Sequence, residues 1–554
     1  MLNRRGFLKT GVAGGLTAGL PLAGARAQAA GSFTHGVASG DPLADRVILW
    51  TRYVPADGAA AEVAWEVATD AGFASIVASG KGHATPERDF TVKVDARPLA
   101  PGGRYFYRFR DSGGQISTVG QTRTLPTGAV EALNIALFSC SNLPFGYFNA
   151  YAHAAARDDI DLALHVGDYI YEYQRGTYPP EQAVVDGRHV EPTNEIVALA
   201  DYRQRYAQYR RDPDLQAVHQ RLPFLCVWDD HELANNTWKG GAQNHQPDSE
   251  GPWDRRWRAA YQAYCEWLPI REQAPGLIYR RFDWGRLASL IMLDTRFIGR
   301  DEQFDYKELL GSVDKNDPAA VTQALRQFGQ TVLDDPRRSI LGHAQERWLA
   351  RQMADSRARG VPWQVLGQQV LAGWSRMPPE LPSILGPQTP SYVREYVSAG
   401  AIAGGLGLPA NLDAWAGYPA ARRRLVDDIL KYADNAVILA GDTHNAWAFE
   451  LLGGPDGRPA AVEFGTHSVT SPGMESAFEN TSGLAALLVA ANPELKWVDT
   501  HHRGYCTVRF TPESATAEFV LLKTIKERST QLDGLVRAEV KAVKGPGVSP
   551  LTFG

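Results

Sequence analysis

Cysteine is scarce in this chain of 554 residues: there are four, Cys140, Cys226, Cys265 and Cys506. So few and so widely spaced, they make no disulfide scaffold and contain no CxxC zinc pattern. Beyond residue 27 no apolar run approaches the roughly 20 residues that a membrane-spanning helix needs, so no transmembrane anchor is expected in the mature form. An excess of positive charge is also missing. Lys and Arg number 57 against 62 Asp and Glu, for a formal charge of -5. A mildly acidic protein has no bulk attraction for nucleic acid or anionic lipid. Stable nucleic-acid binding is therefore not expected, and any anionic substrate must be held by local charges or metal ions. There is no convincing nucleophile elbow, the usual signal of a serine hydrolase.

What is present begins at the N-terminus. Asn3-Arg4-Arg5-Gly6-Phe7-Leu8-Lys9 is a twin-arginine export signature, followed by a weakly apolar stretch from Thr10 to Ala23 and a small-x-small cleavage site at Ala25-Arg26-Ala27. Residues 1–27 read as a removable signal that engages the twin-arginine export machinery and leaves a periplasmic or secreted protein. The segment carries four cations (Arg4, Arg5, Lys9, Arg26) and no acid, so its removal takes the formal charge from -5 to -9. The route transports folded proteins, often with a cofactor already loaded, and so hints at a metal.

Two domains follow. Residues 31–127 read as all-β: Val47–Arg52, Ala64–Val67, Phe90–Val94 and the Arg/aromatic alternation of Arg104–Arg110 are short strands between turn residues. The rhythm suits a small β-sandwich of fibronectin type III kind. After Leu125-Pro126-Thr127-Gly128, residues 131–540 read as α/β. Apolar strands at Ile135–Phe138, Leu162–Val166, Phe224–Trp228, Leu287–Leu293 and Ala436–Ala440 alternate with helical stretches such as Tyr202–Tyr209 and Arg422–Tyr432. Gly400–Gly407 reads as a Gly/Ala-rich loop, Val543–Gly554 as a loose tail, and His501-His502-Arg503 as a solvated polar turn.

Each α/β strand ends in a polar cluster: Ser139-Cys140-Ser141-Asn142, Gly167-Asp168-Tyr169-Ile170-Tyr171, Asp229-Asp230-His231-Glu232 with Asn235-Asn236, Asp294-Thr295-Arg296, and Gly441-Asp442-Thr443-His444. Ligand sites in open α/β sheets gather at the carboxyl ends of strands, so five clusters at five ends predict one shared site. Alone, each has a plain reading as a turn, a core cysteine or a local ion pair. Together, their carboxylates would repel one another unless a cation joined them. Asp168, Asp230, Asn235 and Asp442 offer oxygen ligands suited to calcium, magnesium or manganese. Cys140, Tyr171 and His444 add thiolate, phenolate and imidazole, which suit a transition metal such as ferric iron. Asp168 is the natural bridge.

Gly167-Asp168-x-x-Tyr171 and Gly441-Asp442-Thr443-His444 resemble the metal-binding blocks of calcineurin-like metallophosphoesterases. Gly36–Pro42, Leu49-Trp50-Thr51-Arg52, Phe138-Ser139-Cys140-Ser141 and Trp228–Glu232 are similar, more specifically, to the PhoD-like alkaline phosphatases. The resemblance implies a metallophosphoesterase-like β-sandwich core flanked by helices, calcium and ferric iron as cofactors, and hydrolysis of phosphate mono- and diesters. It matches Cys140, Asp168, Tyr171 and His444 to iron-type ligands, and places Asp230, Asn235 and Asp442 where calcium ligands are expected. Phe138-Ser139-Cys140 and Trp228–Glu232 depart from the Asp-x-His and Gly-Asn-His-Glu of ordinary metallophosphoesterases, which argues against a plain two-zinc or two-manganese site.

The expected mechanism is attack on the phosphate ester by a metal-activated water. His231 is a candidate acid for the leaving group or an orienter of phosphate, or else a structural partner of a flanking acid. Arg296 is a candidate phosphate clamp, or else the ion-pair partner of Asp294. Two other functions fit less well. One is a phosphodiesterase of phospholipase D type, distinguished by an open trough on both sides of the phosphate. The other is a calcium-stabilised extracellular binding protein, against which Cys140 and Tyr171 count.

Overall fold

The apolar runs that end in polar clusters become the central strands of two mixed sheets in the computed structural model, which describes residues 31–554 except 315, 316, 387, 388, 390, 477, 479, 480 and 482. The expected export signal at residues 1–27 lies outside the described residues.

Among the described residues the larger sheet has ten strands, in the order Thr552–Phe553, Leu532–Lys541, Ser514–Leu522, Arg503–Phe510, Leu133–Phe138, Leu162–His165, Pro223–Cys226, Ser32–Gly40, Val47–Val54 and Thr91–Ala96. The four from Leu133–Phe138 to Ser32–Gly40 run parallel. The second sheet runs Arg280–Trp284, Ala288–Met292, Trp363–Gly367, Asn435–Ala440, Ala461–Gly465, Ala446–Leu451 and Leu495–Asp499. Its four strands from Ala288–Met292 to Ala461–Gly465 are likewise parallel. Strands such as Asn435–Ala440 are buried along their whole length, which is why they read as unbroken apolar runs.

The two sheets share one core. Trp363 meets Phe510 and Phe464 meets Phe519 across it, with ring centroids 5.8 and 6.2 Å apart. Helices Asn149–Ala155, Leu199–Tyr209, Pro213–Arg221 and Trp253–Trp267 pack against the first sheet through Tyr151, Tyr206, Val218 and Tyr264. Helices Gly342–Ala358 and Pro419–Tyr432 cover the second through Leu349, Met353, Leu425 and Ile429.

Near the N-terminus, strands Ala61–Ala68, Ile76–Ala84, Arg104–Asp111 and Gly120–Arg123 form a separate four-stranded sheet. Trp65, Val67, Tyr107 and Phe109 of that sheet pack against Val37, Leu49 and Val92. Those three lie on strands of the ten-stranded sheet, so the N-terminal segment is continuous with the main body, Ser39 pairing with Pro223. Asp41, just past the junction, is fully buried. It accepts hydrogen bonds from Arg280 Nη2 and Nε at 2.7 and 2.8 Å and from the Arg271 amide at 2.7 Å.

Two segments differ from the sequence reading. Residues 400–405, expected as loop, complete the helix Ser391–Gly405. Ala403 is buried with Leu325 and Phe328 of helix Pro318–Thr331, and a β-carbon at Gly404 would overlap the Met377 carbonyl. The glycines here permit close packing, and that gain outweighs their poor helix propensity. The expected loose tail is also tied down: Val548 is buried and donates to Pro459 O, Leu551 N donates to Glu450 Oε1 at 2.7 Å, and Thr552–Phe553 adds an edge strand.

Asp41→Ala is expected to lower folding stability by about 3–5 kcal/mol, because it strands the Arg280 guanidinium without its buried partner. Urea unfolding of the two proteins measures this, and an unchanged midpoint would mean that the junction is not held by this pair.

Candidate metal centre

The parallel strands of both sheets deliver their C-terminal ends to one place. There the backbone departs from ordinary geometry: Cys140, Asp168, Asn236, Asp442 and His444 all have positive φ, between 54 and 67°. Non-glycine residues rarely adopt this region, at a cost of about 1–3 kcal/mol each, and such residues cluster at functional sites. Hydrogen bonds between loops hold the turns in place. Cys140 N donates to Gly167 O at 3.1 Å, Ser141 N to Asp168 O at 2.8 Å, and Val469 N to Ser139 O at 2.9 Å. Gly167 has φ of +110°, and a β-carbon there would overlap the Asp229 backbone, so the Asp168 and Asp229 turns touch only because this residue is glycine. Beneath them the buried Glu232 carboxylate accepts from the amides of Asp168, Tyr169 and Asp229 at 3.0, 2.5 and 2.7 Å.

One donor set is compact. A ligand atom from each of Cys140, Asp168 and His444 lies within 4.8 Å of the others. Tyr171 Oη joins them, 2.9 Å from Asp168 Oδ2 and 3.4 Å from His444 Nε2. His444 Nδ1 sits 2.7 Å from Pro472 O. A carbonyl can only accept, so Nδ1 carries the proton and Nε2 presents its lone pair to the cluster. Burial, with Arg503 nearby, pushes His444 down to about 3, in keeping with a neutral ring. Arg503 braces the same turn by donating to His444 O and Ser471 O at 2.6 and 2.8 Å. Ser471 Oγ lies 2.6 Å from Tyr171 Oη. Arg503 is therefore buried support rather than the solvated turn expected from sequence.

Asp168 is shared with a second group, Asp168–Asp230–His231, and Asp230 in turn with a third, Asp229–Asp230–Asp442, each spanning no more than 4.8 Å. His231 Nδ1 lies 2.7 Å from Glu172 Oε2, and its ring packs on Tyr171 with centroids 4.3 Å apart, leaving Nε2 free. Glu172, fully buried, also accepts from Asn235 N and Asn244 Nδ2. Asn235 thus supports Glu172 through its backbone amide, and its side-chain Nδ2 donates to Gln243 Oε1 at 3.0 Å.

Arg296 pairs with other acids than the expected Asp294. Its fully buried guanidinium is enclosed by Asp229, Asp413 and Asp442, with Asp230 at 3.6 Å, and Arg300 shares Asp413. Asp294 instead accepts from the backbone amides of Arg296, Phe297 and Ile298. Arg296 binds the acidic wall together. Glu172, Asp413, Ser471 and Arg503 were missed in the sequence. Glu172 directly follows Tyr171 and was open to detection as a buried acid, whereas Asp413 follows no strand and carries no signal.

Burial pushes the Asp168 and Asp229 carboxyls well up, and Asp442 to about 7 even with Arg296 beside it. Against burial, Arg296 and His231 hold Asp230 down at about 2. Burial also raises Cys140 and Tyr171 far above their usual range. Asp168 Oδ1 and Asp229 Oδ2 are buried without a hydrogen-bond partner among the described residues. Orphaned carboxylate oxygens beside a thiol, a phenol and an imidazole lone pair fit a cation site, since a bound cation reverses each of these penalties.

Residues 135–519 match the PhoD-like phosphatase family, and residues 19–126 match the PhoD-like phosphatase N-terminal domain. The chain belongs to the PhoD-like phosphatase family. Among relatives of this family, alkaline phosphatase D of Bacillus subtilis (strain 168) is 34% identical over 515 residues, spanning 89% of this chain and 78% of that one. A solved structure of PhoD superposes with a TM-score of 0.74 at 31% identity, covering 94% of this chain and 92% of the other. The mixed α/β architecture with its several sheets is thus shared with a PhoD-like phosphatase.

Gly167→Ala is expected to push the Asp168 and Asp229 turns apart. The variant should fold with a lower melting temperature and hold less metal than the parent, measured by calorimetry and elemental analysis. Undiminished metal content would show that the contact between these turns does not position Asp168.

Proposed function

We propose that this chain is an exported, metal-dependent alkaline phosphatase that hydrolyses phosphate monoesters and, through the same centre, diesters. Membership of the PhoD-like phosphatases makes it a phosphoric ester hydrolase. The observation that carries the metal reading is the set Cys140, Asp168, Tyr171 and His444, in which thiol, carboxylate, phenol and imidazole meet at strand ends. In this reading those four hold a ferric ion. Asp230, Asn235 and Asp442 would hold calcium, and Asp168 belongs to both donor groups. Residues 1–27 are the twin-arginine signal, 31–127 a β-domain of fibronectin type III kind, and 131–540 the metallophosphoesterase core, and the mature protein works in the periplasm or outside the cell. Among the described residues no helix is long and apolar enough to cross a membrane.

When bound, such ions supply charge neutralisation for the phosphate oxygens and make water a nucleophile near neutral pH. The side chains divide the remaining work. Glu172 fixes the His231 ring through Nδ1, so Nε2 is the atom that holds a proton for the departing oxygen. The neighbouring acids Asp168, Glu172 and Asp230 favour that protonated ring and, although burial opposes them, hold His231 well above its ordinary range. Arg296 keeps Asp229 and Asp442 at fixed positions, and Arg503 does the same for His444.

Hydrolysis of nitrophenyl phosphate and of bis-nitrophenyl phosphate is expected to vanish on calcium chelation and to return when calcium is restored, and the ratio of rates ranks the two substrates. Turnover indifferent to chelation would remove calcium from the reading. Asp168→Ala should lose metal and turnover together, and Cys140→Ser should lose iron before calcium, both checked by elemental analysis. His231→Ala is expected to keep its metals yet lower kcat by about 10²–10⁴-fold. The loss should be greater for an alkyl phosphate, whose leaving oxygen needs a proton, than for nitrophenyl phosphate. Equal losses on both would make His231 an orienter of phosphate rather than an acid.

A further inference from the structure

A second group of ligand-type side chains lies outside the centre described above. Asp499 ends the strand Leu495–Asp499, and the turn after it carries His501 and His502. One donor atom from each of these three lies within 4.8 Å of the others. His502 Nδ1 is 2.7 Å from Asp499 Oδ2, and the two imidazole rings lie with centroids 4.0 Å apart. On the inner side of the same carboxylate stands His467, two residues past the strand Ala461–Gly465 and fully buried. Neither ring nitrogen of His467 has a hydrogen-bond partner among the described residues, and its Nε2 faces Asp499 Oδ1 at 3.5 Å.

A buried imidazole with both nitrogens unsatisfied loses hydration without replacement, which native structures rarely tolerate. Here the unsatisfied ring is aimed at a carboxylate already lined on its outer side by two further imidazoles. Against the upward push of burial, His467 and His502 hold Asp499 well below the usual carboxylate range, so the group offers a carboxylate anion with imidazoles around it. Imidazole with carboxylate suits zinc and its neighbours in the late first transition row, whereas calcium prefers oxygen alone.

We propose that Asp499, His501 and His502, with His467 behind the same carboxylate, form a second metal site for a late first-row divalent cation of the zinc class, separate from the catalytic centre. Its place in the fold gives it a structural role. Ser468, next to His467, accepts from Arg503 Nη1 at 2.9 Å, and Arg503 Nη2 donates to His501 O at 3.3 Å. A cation held by Asp499, His501 and His502 would pin the turn from which Arg503 reaches His444, while His467 faces the same carboxylate from the second segment. Without a cation, His502 has an alternative as an imidazolium between Asp499 and Asp533, which lies 2.9 Å from its Nε2.

The test uses the full mature chain with its catalytic metals in place, and zinc ion as the probe. Wild type is compared with the His501→Gln/His502→Gln double variant by equilibrium dialysis with elemental analysis, and by melting with and without zinc. Wild type should take up about one zinc more per chain than the variant. Zinc should raise the wild-type melting temperature and not that of the variant, while hydrolysis before zinc addition stays the same in both. Equal zinc uptake and equal shifts would overturn the site and leave His502 as an ion-pair bridge. Should the double variant fail to fold, His501→Gln alone, at an exposed position, is expected to weaken zinc binding by at least about tenfold, and unchanged affinity would overturn the proposal equally.

Discussion

Several buried carboxylates at one point set the terms for the rest of this molecule. Asp168, Asp229 and Asp230, which are buried, and Asp442, which is partly so, stand where the carboxyl ends of two parallel strand sets meet, close enough to repel. A buried charge left uncompensated costs several kcal/mol, and the only guanidinium enclosed by these acids among the described residues is Arg296. Arg296, even with a protonated His231 beside it, does not balance four anions, so further protons or metal ions must make up the difference. The upward shifts of Asp168, Asp229 and Asp442 express the first choice, and the donors beside them favour the second.

The surrounding fold holds those groups where they would not settle unaided. Left-handed backbone at Cys140, Asp168, Asp442 and His444 turns each side chain inward immediately after its strand. That strain is offset by what the turns gain: amide hydrogen bonds into Glu232, cross-loop bonds between the Cys140 and Gly167 turns, and carbonyl contacts from Arg503. The N-terminal segment contributes at a distance. Strand Ser32–Gly40 pairs with Pro223–Cys226, the strand that presents Asp229, Asp230 and His231, and Asp41 fixes Arg280, whose Nη2 also donates to Cys226 O at 2.9 Å. The β-rich segment is thereby a brace for one wall of the centre.

Much of this was legible in the sequence because the central strands obey a local rule. A strand buried on both faces needs an unbroken apolar run, and a polar cluster straight after it marks the end of the strand. Ala436–Ala440 followed by Asp442 and His444 shows both, and the structure places the strand at Asn435–Ala440. The strands after residue 500 escaped because their burial depends on partners far away in the chain. Cys506, for example, pairs with Leu137. Gly400–Gly407 misled for the opposite reason: its composition spoke of flexibility, whereas a tertiary contact with Met377 wanted small residues in a helix. Arg503 and Asp413 act through contacts made 59 and 117 residues away in sequence, to His444 and Arg296, and no window of sequence contains such pairs.

Arg296 shows most clearly why position, rather than charge alone, governs this centre. A planar guanidinium with five donors can meet carboxylates from several directions at once, which an ammonium on a flexible stem cannot do. Asp229, Asp413 and Asp442 come from three separate loops, and each finds a different nitrogen of the same group. The side chain therefore fixes the spacing between the Asp229–Asp230 turn and the Asp442 turn, which is the spacing that a cation between them must match. On the other side of Asp168, Arg503 reaches only the His444 carbonyl, and among the described residues no guanidinium meets the side chains of Cys140, Tyr171 and His444. There the contacts are hydroxyl, carbonyl and ring nitrogen, and the donor atoms stay available. One half of the centre is thus spaced by a fixed cation and lined with hard oxygen, while the other is left open and lined with softer donors. That asymmetry is the physical basis for expecting two unlike metals to share Asp168.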